Sequence, residues 1–449
     1  MKKNHSKTLE DVLAELPDFK HPRWVTVNEL IQHGQFFPLI PKHVPGPTEW
    51  WIDDKKKKHP MRIFPQDEWE CPILASQFLP CKMLPRIEEV KLVLKEEIRT
   101  QKFHFSPKII DANTKHATAL QLIESLETKE NNPVLPLNRE NWFPAAKPPT
   151  VIDSTGKIYG ESIVHMFSPS LQNHCDKKFT VDGVKGTLSQ SPHQVTIMPT
   201  GGYLETVYHH HYTVSTLFHG KKLWIVFPEN PQNIETLTAA FTELSSGDSD
   251  LVHKSWREQI RVLQNGIVFV QSVGETVILP PFWQHMTMSI EASLSTTSYV
   301  AKSTYFPLRL KYMHLSNLVK KMWPDDIQYQ EHMVAFAKEF ANHFHQVMSA
   351  EGESSQSVDT KTHICGIWKD TRREVTGLIA SIGDLKIRES LATDVQQAFI
   401  TCLEYKARKS RKCSICKQSV NSMVAPQQVP KEDLLRSKLE RHFLRHHWD

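Results

Sequence analysis

The chain has 449 residues, of which 39% are hydrophobic and 23% charged, with only 16 glycines and 28 prolines. This length excludes a single small disulfide-stabilised module, and the composition excludes both a collagen-like repeat and a wholly disordered chain. Lysine and arginine number 54 against 50 acidic residues, a net charge of +4 that identifies no partner by itself.

The N-terminal residues are polar, and no apolar run approaches the ~18 residues that a membrane-spanning helix needs. We therefore expect a soluble, non-secreted protein with no membrane partner. The seven cysteines are scattered except for one close pair. This odd number and distribution favour a reducing compartment, with free thiols and one metal site.

Residues 1–140 contain no chemical motif, so their role stays open. Apolar residues at helical spacing predict a helix over 87–100. The lysine run from Lys55 to Lys58 could contact phosphates, although most charge runs form solvated loops. Cys71 and Cys81 have no cysteine or histidine at ligand spacing, so we expect them to be packing or surface residues.

Residues 141–305 consist of short runs of β-branched and aromatic residues separated by turn residues such as Gly220 and Gly274. This pattern of short strands and turns predicts an antiparallel sandwich or barrel. The predicted strands are 194–198, 212–218, 222–227, 267–271, 276–279 and 296–300.

Three consecutive histidines lie just before the second of these predicted strands. If they continue a strand, His209 and His211 share one face and His210 points to the other, because side chains alternate. Two imidazoles so placed can occupy two corners of a metal site, with His285, which follows a proline-containing turn, as the distant third ligand. The alternative is a partly exposed strand end without metal.

Together these segments resemble the JmjC (Jumonji C) domain, a double-stranded β-helix of the cupin superfamily. The resemblance covers about residues 145–305. It depends on the glycine-rich strand entry at Gly201, the strand from Gly220 to Pro228, the segment from Gly274 to His285, and the strand that begins at Leu294. It implies a mixed α+β fold, with a double-stranded β-helix core and helical flanking regions.

Active members of this family use Fe(II), 2-oxoglutarate and O2 to hydroxylate protein side chains or demethylate lysines. The resemblance implies iron held by an H-x-D/E pair and a distal histidine, which His285 matches. Lys222, or else Lys221, lies where many members place the lysine that pairs with the 2-oxoglutarate carboxylate.

Counted back from Gly220, the family's spacing places the H-x-D/E pair within residues 205–210, and this stretch contains no H-x-D or H-x-E. The resemblance therefore leaves two hypotheses. The first is a catalytically impaired scaffold or regulator associated with chromatin, and the second is an oxygenase with a histidine-only site of His209, His211 and His285. A zinc hydrolase with Glu205 as its base is a weaker third hypothesis.

Residues 306–405 are predicted to be helical. Apolar residues at three- and four-residue steps over 333–348 indicate a packing face. His332, His343 and His345 are expected to face water, and the polar segment 351–359 is expected to be a linker.

Residues 406–449 contain a C-x2-C pair, Cys413 and Cys416, and an H-x3-H pair, His442 and His446, separated by 25 residues. Two thiolates on a tight turn and two imidazoles one helical turn apart can bind zinc tetrahedrally. His447 is an alternative ligand, and a chance C-x2-C near a histidine-rich tail is the alternative to a metal site.

A basic segment, 406–412, precedes this motif and carries five lysines and arginines. Such a density of charge could bind nucleic-acid phosphates, act as a nuclear import signal, or form a solvated helix end. Together with the family resemblance, it leads us to expect a nuclear protein.

Overall fold

The computed structural model describes residues 202–244, 262–300, 305–321, 327–349, 355–425, 429–430 and 432–448, together with shorter elements between residues 10 and 198. The chain divides into two compact units. The sheet unit comprises Met1–Thr236 and Trp256–Val300, and the helical unit comprises Leu237–Ser255 and Ala301–Asp449. The predicted mixed class of fold, with an antiparallel sheet and several helices, is confirmed.

Fifteen strands are described, together with two helices that lie within or begin in the sheet unit. The strands are β1 Phe37–Pro38, β2 Glu49–Ile52, β3 Lys58–Ile63, β4 Ile73–Ala75, β5 Phe103–Ser106, β6 Val151–Ile152, β7 Ile158–Tyr159, β8 Ile163–Phe167, β9 Phe179–Thr180, β10 Gln194–Met198, β11 Tyr203–Val207, β12 Tyr212–Phe227, β13 Ile267–Gln271, β14 Thr276–Leu279 and β15 Gln284–Val300. The helices are α1 Ile87–Thr100 and α2 Pro231–Leu244.

Two long antiparallel strands, β12 and β15, form the centre of a ten-stranded sheet. The first half of β12 also pairs with β14 and the second half with β13. Likewise, the first half of β15 pairs with β11 and the second half with β10. Each long strand is therefore shared between two different sets of neighbours.

The predicted turn at Gly220 is wrong, because β12 continues through it as a single strand. The register between β12 and β15 shifts at residues 217–222, so the strand bulges there instead of ending. Gly220 has a φ of +79°, and a Cβ at this position would lie 2.0 Å from the carbonyl oxygen of Ala292. The bulge needs glycine for both its conformation and its close approach to β15.

Different residues cover the two faces of the sheet. One face packs against α1, which begins and ends at the predicted residues, and buries Val195, Ile197 and Leu294 between the sheet and that helix. On the other face, Trp224 and Phe269 stack at 6.1 Å between ring centroids within a second apolar cluster.

Seven further helical segments are described in the helical unit. They are α3 Phe306–Lys311, α4 Met313–Lys321, α5 Ile327–Ser349, α6 Ser355–Ala380, α7 Leu385–Ser410, α8 Leu434–Phe443 and the π-helical turn Leu444–Trp448, with a short 3-10 turn at Val420–Ser422. The predicted apolar face of α5 is confirmed, since its members lie in one buried cluster with residues of α6 and α7.

Two predictions for this region are corrected. The segment 351–359 is not all linker, because α6 begins at Ser355. His343 does not face water: it is 8% exposed, its ring lies 4.8 Å from that of Phe306, and its Nδ1 lies 3.4 Å from Nη1 of Arg309. His345 is exposed as expected, whereas the side chain of His332 lies outside the described residues.

The C-terminal residues belong to the core of the helical unit. Cys413, Leu439 and Phe443 are buried in the same cluster as Trp368 and Phe399. The predicted segments 306–405 and 406–449 thus lie together in one compact unit. Lys55 to Lys57, Cys71 and Cys81 lie outside the described residues. None of the described helices combines the length and apolar character that a membrane crossing requires.

We expect Gly220→Ala to lower the free energy of unfolding by about 2 to 4 kcal/mol, because the new methyl group overlaps β15 and the backbone has positive φ. Gly377→Ala is the matched control: no atom lies within 4 Å of its Cβ position, and alanine favours a helix. Denaturant unfolding followed by circular dichroism measures both. Equal midpoints for the two variants would contradict the account of the bulge.

Candidate functional site

Four side chains at the C-terminal end form a Cys2His2 cluster: Cys413, Cys416, His442 and His447, whose ligand atoms all lie within 4.8 Å of one another. The Sγ of Cys416 is 3.2 Å from Nε2 of His442, the Sγ of Cys413 is 3.7 Å from Nε2 of His447, and the two Nε2 atoms are 3.1 Å apart. Ligands bonded tetrahedrally to one zinc ion at ~2.0 to 2.3 Å are separated by roughly 3.3 to 3.8 Å. The cluster could therefore hold a metal such as zinc.

The thiols are brought together by a tight turn that follows α7. The helix ends at Arg411, which adopts the left-handed conformation with a φ of +56°. Cys413 then accepts a hydrogen bond at its carbonyl from the N–H of Lys417, and its own N–H donates to Gln418. This turn leaves both sulfur atoms on the side that faces α8.

The fourth position belongs to His447, the alternative ligand, so the expectation of His446 is corrected. In an α-helix, the residue four positions after His442 lies on the same face. Here α8 passes into a π-helical turn, Leu444–Trp448, whose wider winding places the fifth residue there instead. His447 is buried, whereas His446 is exposed.

Burial prepares the cluster residues for metal binding. It lowers the pKa of His447 to about 4 and also lowers the pKa of His442, so both imidazoles are neutral at neutral pH and have a free lone pair. Burial raises the pKa of the Cys413 thiol. Binding of a metal must therefore displace its proton, which makes affinity depend on pH.

The cluster is anchored to the helical core by hydrogen bonds from α6. The indole Nε1 of Trp368 donates to the carbonyl of His447 at 2.8 Å, and Arg372 Nη1 donates to the carbonyl of His446 at 3.1 Å. Phe443 stacks against Phe399 of α7, with ring centroids 5.1 Å apart. Metal binding at the cluster is therefore expected to stabilise the packed core as well as the last residues.

A second group of polar residues lies inside the sheet unit, around Lys222. This lysine is 2% exposed, and its Nζ donates a hydrogen bond of 2.7 Å to the hydroxyl of Ser295. Burial lowers its pKa to about 7. No aspartate or glutamate among the described residues pairs with it. In contrast, Lys221 is 30% exposed and lies 3.9 Å from Glu291.

The surroundings of Lys222 are rich in hydroxyl groups. Ser289, which is the cross-strand neighbour of Lys222, shares a hydrogen bond of 2.6 Å with Ser293. Thr287 is 3% exposed, and its Oγ1 has no hydrogen-bond partner among the described residues. A buried hydroxyl without a hydrogen-bond partner lowers stability by about 1 to 3 kcal/mol. The Oγ1 of Thr287 is therefore available to a polar atom of a ligand.

His209 and His285 come together on the same side of the sheet unit, with ring centroids 5.2 Å apart. His285 lies on β15 opposite Val226, and its Nδ1 is 3.2 Å from the carbonyl oxygen of Trp283. Burial lowers the pKa of His285 to about 4 and, with the neighbouring His285, lowers that of His209 well below the usual value. Both rings are therefore neutral.

The three histidines of the run lie between β11 and β12, not on a strand, so the expected alternation does not apply to them. The N–H of Phe282, which has a φ of +63°, donates to the carbonyl of His209 at 2.9 Å and fixes the loop beside the turn before His285. The rings of Tyr208, His210 and Phe282 contact one another, with centroids 5.4 to 5.8 Å apart.

Among the described residues, His209, His211 and His285 do not form a group whose ligand atoms all lie within 4.8 Å of one another. The structure thus brings two of the three expected ligands together. The side chain of Glu205, the base of the hydrolase hypothesis, lies outside the described residues.

Thr287, Ser289, Ser293 and Ser295 are functional candidates that sequence reasoning missed. Their polar side chains alternate with apolar residues along β15, which is the pattern of a strand with one polar face. That signal is present in the sequence. Tyr299 was also missed: its ring lies 4.7 Å from His209, and burial raises its pKa to about 12.

No protein-family model matches the chain.

We expect the purified protein to bind one zinc ion per chain. His447→Ala should weaken zinc binding at least about a hundredfold, because it removes a ligand of the tetrahedral set. His446→Ala is the matched control and should retain zinc. Zinc content and competition with a chromophoric chelator measure both variants, and an equal loss in the control would contradict the π-helical register.

Proposed function

We propose that the sheet unit is a JmjC-like double-stranded β-helix that binds 2-oxoglutarate through Lys222. In this proposal the chain acts as a catalytically impaired regulator at chromatin. The observation that carries the proposal is the buried ammonium group of Lys222, whose hydrogen-bond partner among the described residues is a serine hydroxyl and not a carboxylate.

A buried lysine without an anion is unfavourable, because its charge has lost its hydration and gained no ion pair. A ligand carboxylate would supply the missing charge. The orphaned Oγ1 of Thr287 and the hydroxyl of Ser295 would supply further hydrogen-bonding groups. These residues therefore suit one carboxylate group of a small ligand such as 2-oxoglutarate.

The strand pairing also supports the proposal. Where a long strand passes from one sheet into a facing one, each half pairs with a different neighbour. Both β12 and β15 divide their pairing in this way, and Gly220 marks the bulge in β12. Bulges of this kind let a strand bend between two sheets.

The described residues fit the iron site of the family less well. An Fe(II) site of this kind uses two histidines and one carboxylate on one face of the metal. His209 and His285 are close, yet a third ligand is not gathered with them among the described side chains. A site without the carboxylate has a higher net charge and lacks a hard oxygen ligand. This deficit is the reason for proposing impaired catalysis.

A histidine-only oxygenase is the second candidate function. The proximity of His209 and His285 favours it, since both rings are neutral and available as ligands. When bound, iron would activate O2 while 2-oxoglutarate is oxidised. The contribution of the chain would be to hold the metal at these imidazoles and the cosubstrate carboxylate at Lys222.

The proposed association with chromatin depends on the basic segment and the Cys2His2 cluster. Part of that segment is engaged within the helical unit: Lys406 donates to the hydroxyl of Thr362, and Arg408 pairs with Glu404 at 2.6 Å. Arg411 and Lys412, which follow, are exposed. Nuclear residence follows from the same proposal.

We expect 2-oxoglutarate to bind the full chain, and Lys222→Met to weaken it at least tenfold, since a hydrogen bond to a charged group contributes about 1.5 to 3 kcal/mol. Lys221→Met, which removes the neighbouring but partly exposed lysine, is the matched control and should change affinity less than twofold. Isothermal titration calorimetry measures all three proteins. Absence of binding to the unaltered chain would contradict the proposal.

The two candidate functions differ in turnover. With Fe(II), ascorbate and O2, the impaired regulator binds 2-oxoglutarate without forming succinate. The oxygenase forms succinate, and His285→Ala abolishes that activity while leaving calorimetric binding of 2-oxoglutarate within a few fold. Measured succinate therefore decides between them.

Affinity for 2-oxoglutarate should fall as pH rises above 7. The pKa of Lys222 in the free protein is about 7, and a bound carboxylate raises it, so binding takes up a proton above that pH. The loss approaches tenfold per pH unit between about 7 and 9. Proton uptake shows as a dependence of the binding enthalpy on the buffer, and a flat profile would contradict this role.

A further inference from the structure

A pocket of about 380 Å³ opens beside the Cys2His2 cluster in the helical unit. Three of the four cluster residues form one wall. The rest of the described lining consists of Lys369, Arg372, Gln418 and His446. We propose that this pocket binds a phosphate group of a nucleic acid backbone.

The charge of the pocket favours an anion. Lys369 and Arg372 lie three residues apart on α6, so they project from adjacent turns of one face. No aspartate or glutamate is among the described residues that line the pocket. Two cations in one concave surface without an acid are suited to a group that carries negative charge on several oxygens.

The donors are partly fixed before any ligand arrives. Nη1 of Arg372 donates to the carbonyl of His446 at 3.1 Å, which holds the guanidinium at the pocket and leaves other N–H groups of its fork for a ligand. The side chain of His446 is exposed and is not one of the cluster ligands. Gln418 adds an amide N–H donor.

Metal binding would make the wall compatible with an anion. Two thiolates alone would repel a phosphate. Zinc bound to two thiolates and two neutral imidazoles carries no net charge, so the attraction of the lysine and arginine remains. The metal also fixes the turn that carries Gln418.

The distribution of charge around the pocket favours nucleic acid over a phosphopeptide. Residues 406–449 contain eleven lysines and arginines against four acidic residues, although the whole chain has a net charge of only +4. Lys417 and Arg445 are exposed and are next in sequence to lining residues. Positive charge that continues beyond one pocket suits a polyanion, whose successive phosphates it can neutralise.

This inference names a partner for the proposed chromatin regulator but depends on the Cys2His2 cluster and not on Lys222. The zinc-loaded full chain is titrated into a short fluorescent DNA duplex and followed by anisotropy at a series of salt concentrations. Lys369→Glu should weaken binding at least tenfold near physiological salt and reduce the slope of log affinity against log salt by about one or more.

Lys386→Glu is the matched control, because Lys386 is exposed, does not line the pocket and lies about 20 Å along α7 from Phe399, the residue that contacts Trp368 beside Lys369. It makes the same change of charge and should leave affinity within about twofold, since screening limits distant charges to about 8 Å at this salt. Zinc content verifies that both variants keep the metal. Binding of 2-oxoglutarate, measured separately, should be unchanged in both.

Three outcomes would overturn the inference. The first is no binding of the duplex by the zinc-loaded chain. The second is an equal loss in both variants, which would show only a general effect of charge. The third is displacement of the duplex by low concentrations of a phosphoserine peptide through the same lysine, which would assign the pocket to phosphorylated proteins.

Discussion

The pairing of β12 with β15 is the interaction on which the sheet unit depends. It places Lys222, Trp224 and Val226 opposite Ser289, Thr287 and His285 in three successive same-face pairs. A slip of one strand by one residue would move its three side chains to the other face and separate them from their partners. The bulge at Gly220 fixes this register, because no other residue fits its conformation and its contact with Ala292.

The same register lowers the stability of the fold, because it buries Lys222 and several hydroxyl groups. Buried lysine and buried hydroxyl groups stabilise a fold less than apolar side chains of the same volume would. The apolar cluster around Trp224 and Phe269 lies on the same strands, so the sheet can form an ordinary core. Among the described residues of these strands, only the region around Lys222 lacks such an apolar core. Buried polar groups confined to one region are expected where a protein binds a ligand.

The periodicity of apolar residues was sufficient to predict most helices and strands, but not how they continue or connect. The helix at Ile87–Thr100, the strands at 194–198, 267–271 and 276–279, and the apolar face of α5 all follow from patterns of period two or 3.6. These patterns did not predict that β12 continues through Gly220. A glycine after a histidine is typical of a turn, and only the contact with Ala292 shows that the strand continues. The choice between His446 and His447 stayed open in the sequence, because it depends on a π-helical turn that residue spacing does not reveal.

The Cys2His2 cluster and the core of the helical unit form one structural system. Trp368 contacts Phe399 and Phe443 with its ring and donates to the carbonyl of His447 with its Nε1, so the aromatic core and a metal ligand share one side chain. Arg372, one turn further along α6, contacts the neighbouring carbonyl and lines the pocket. Loss of the metal would therefore loosen the π-helical turn, and that turn is what holds the guanidinium of Arg372 in place. In this arrangement a bound metal would control the shape of the proposed anion pocket without contacting the anion.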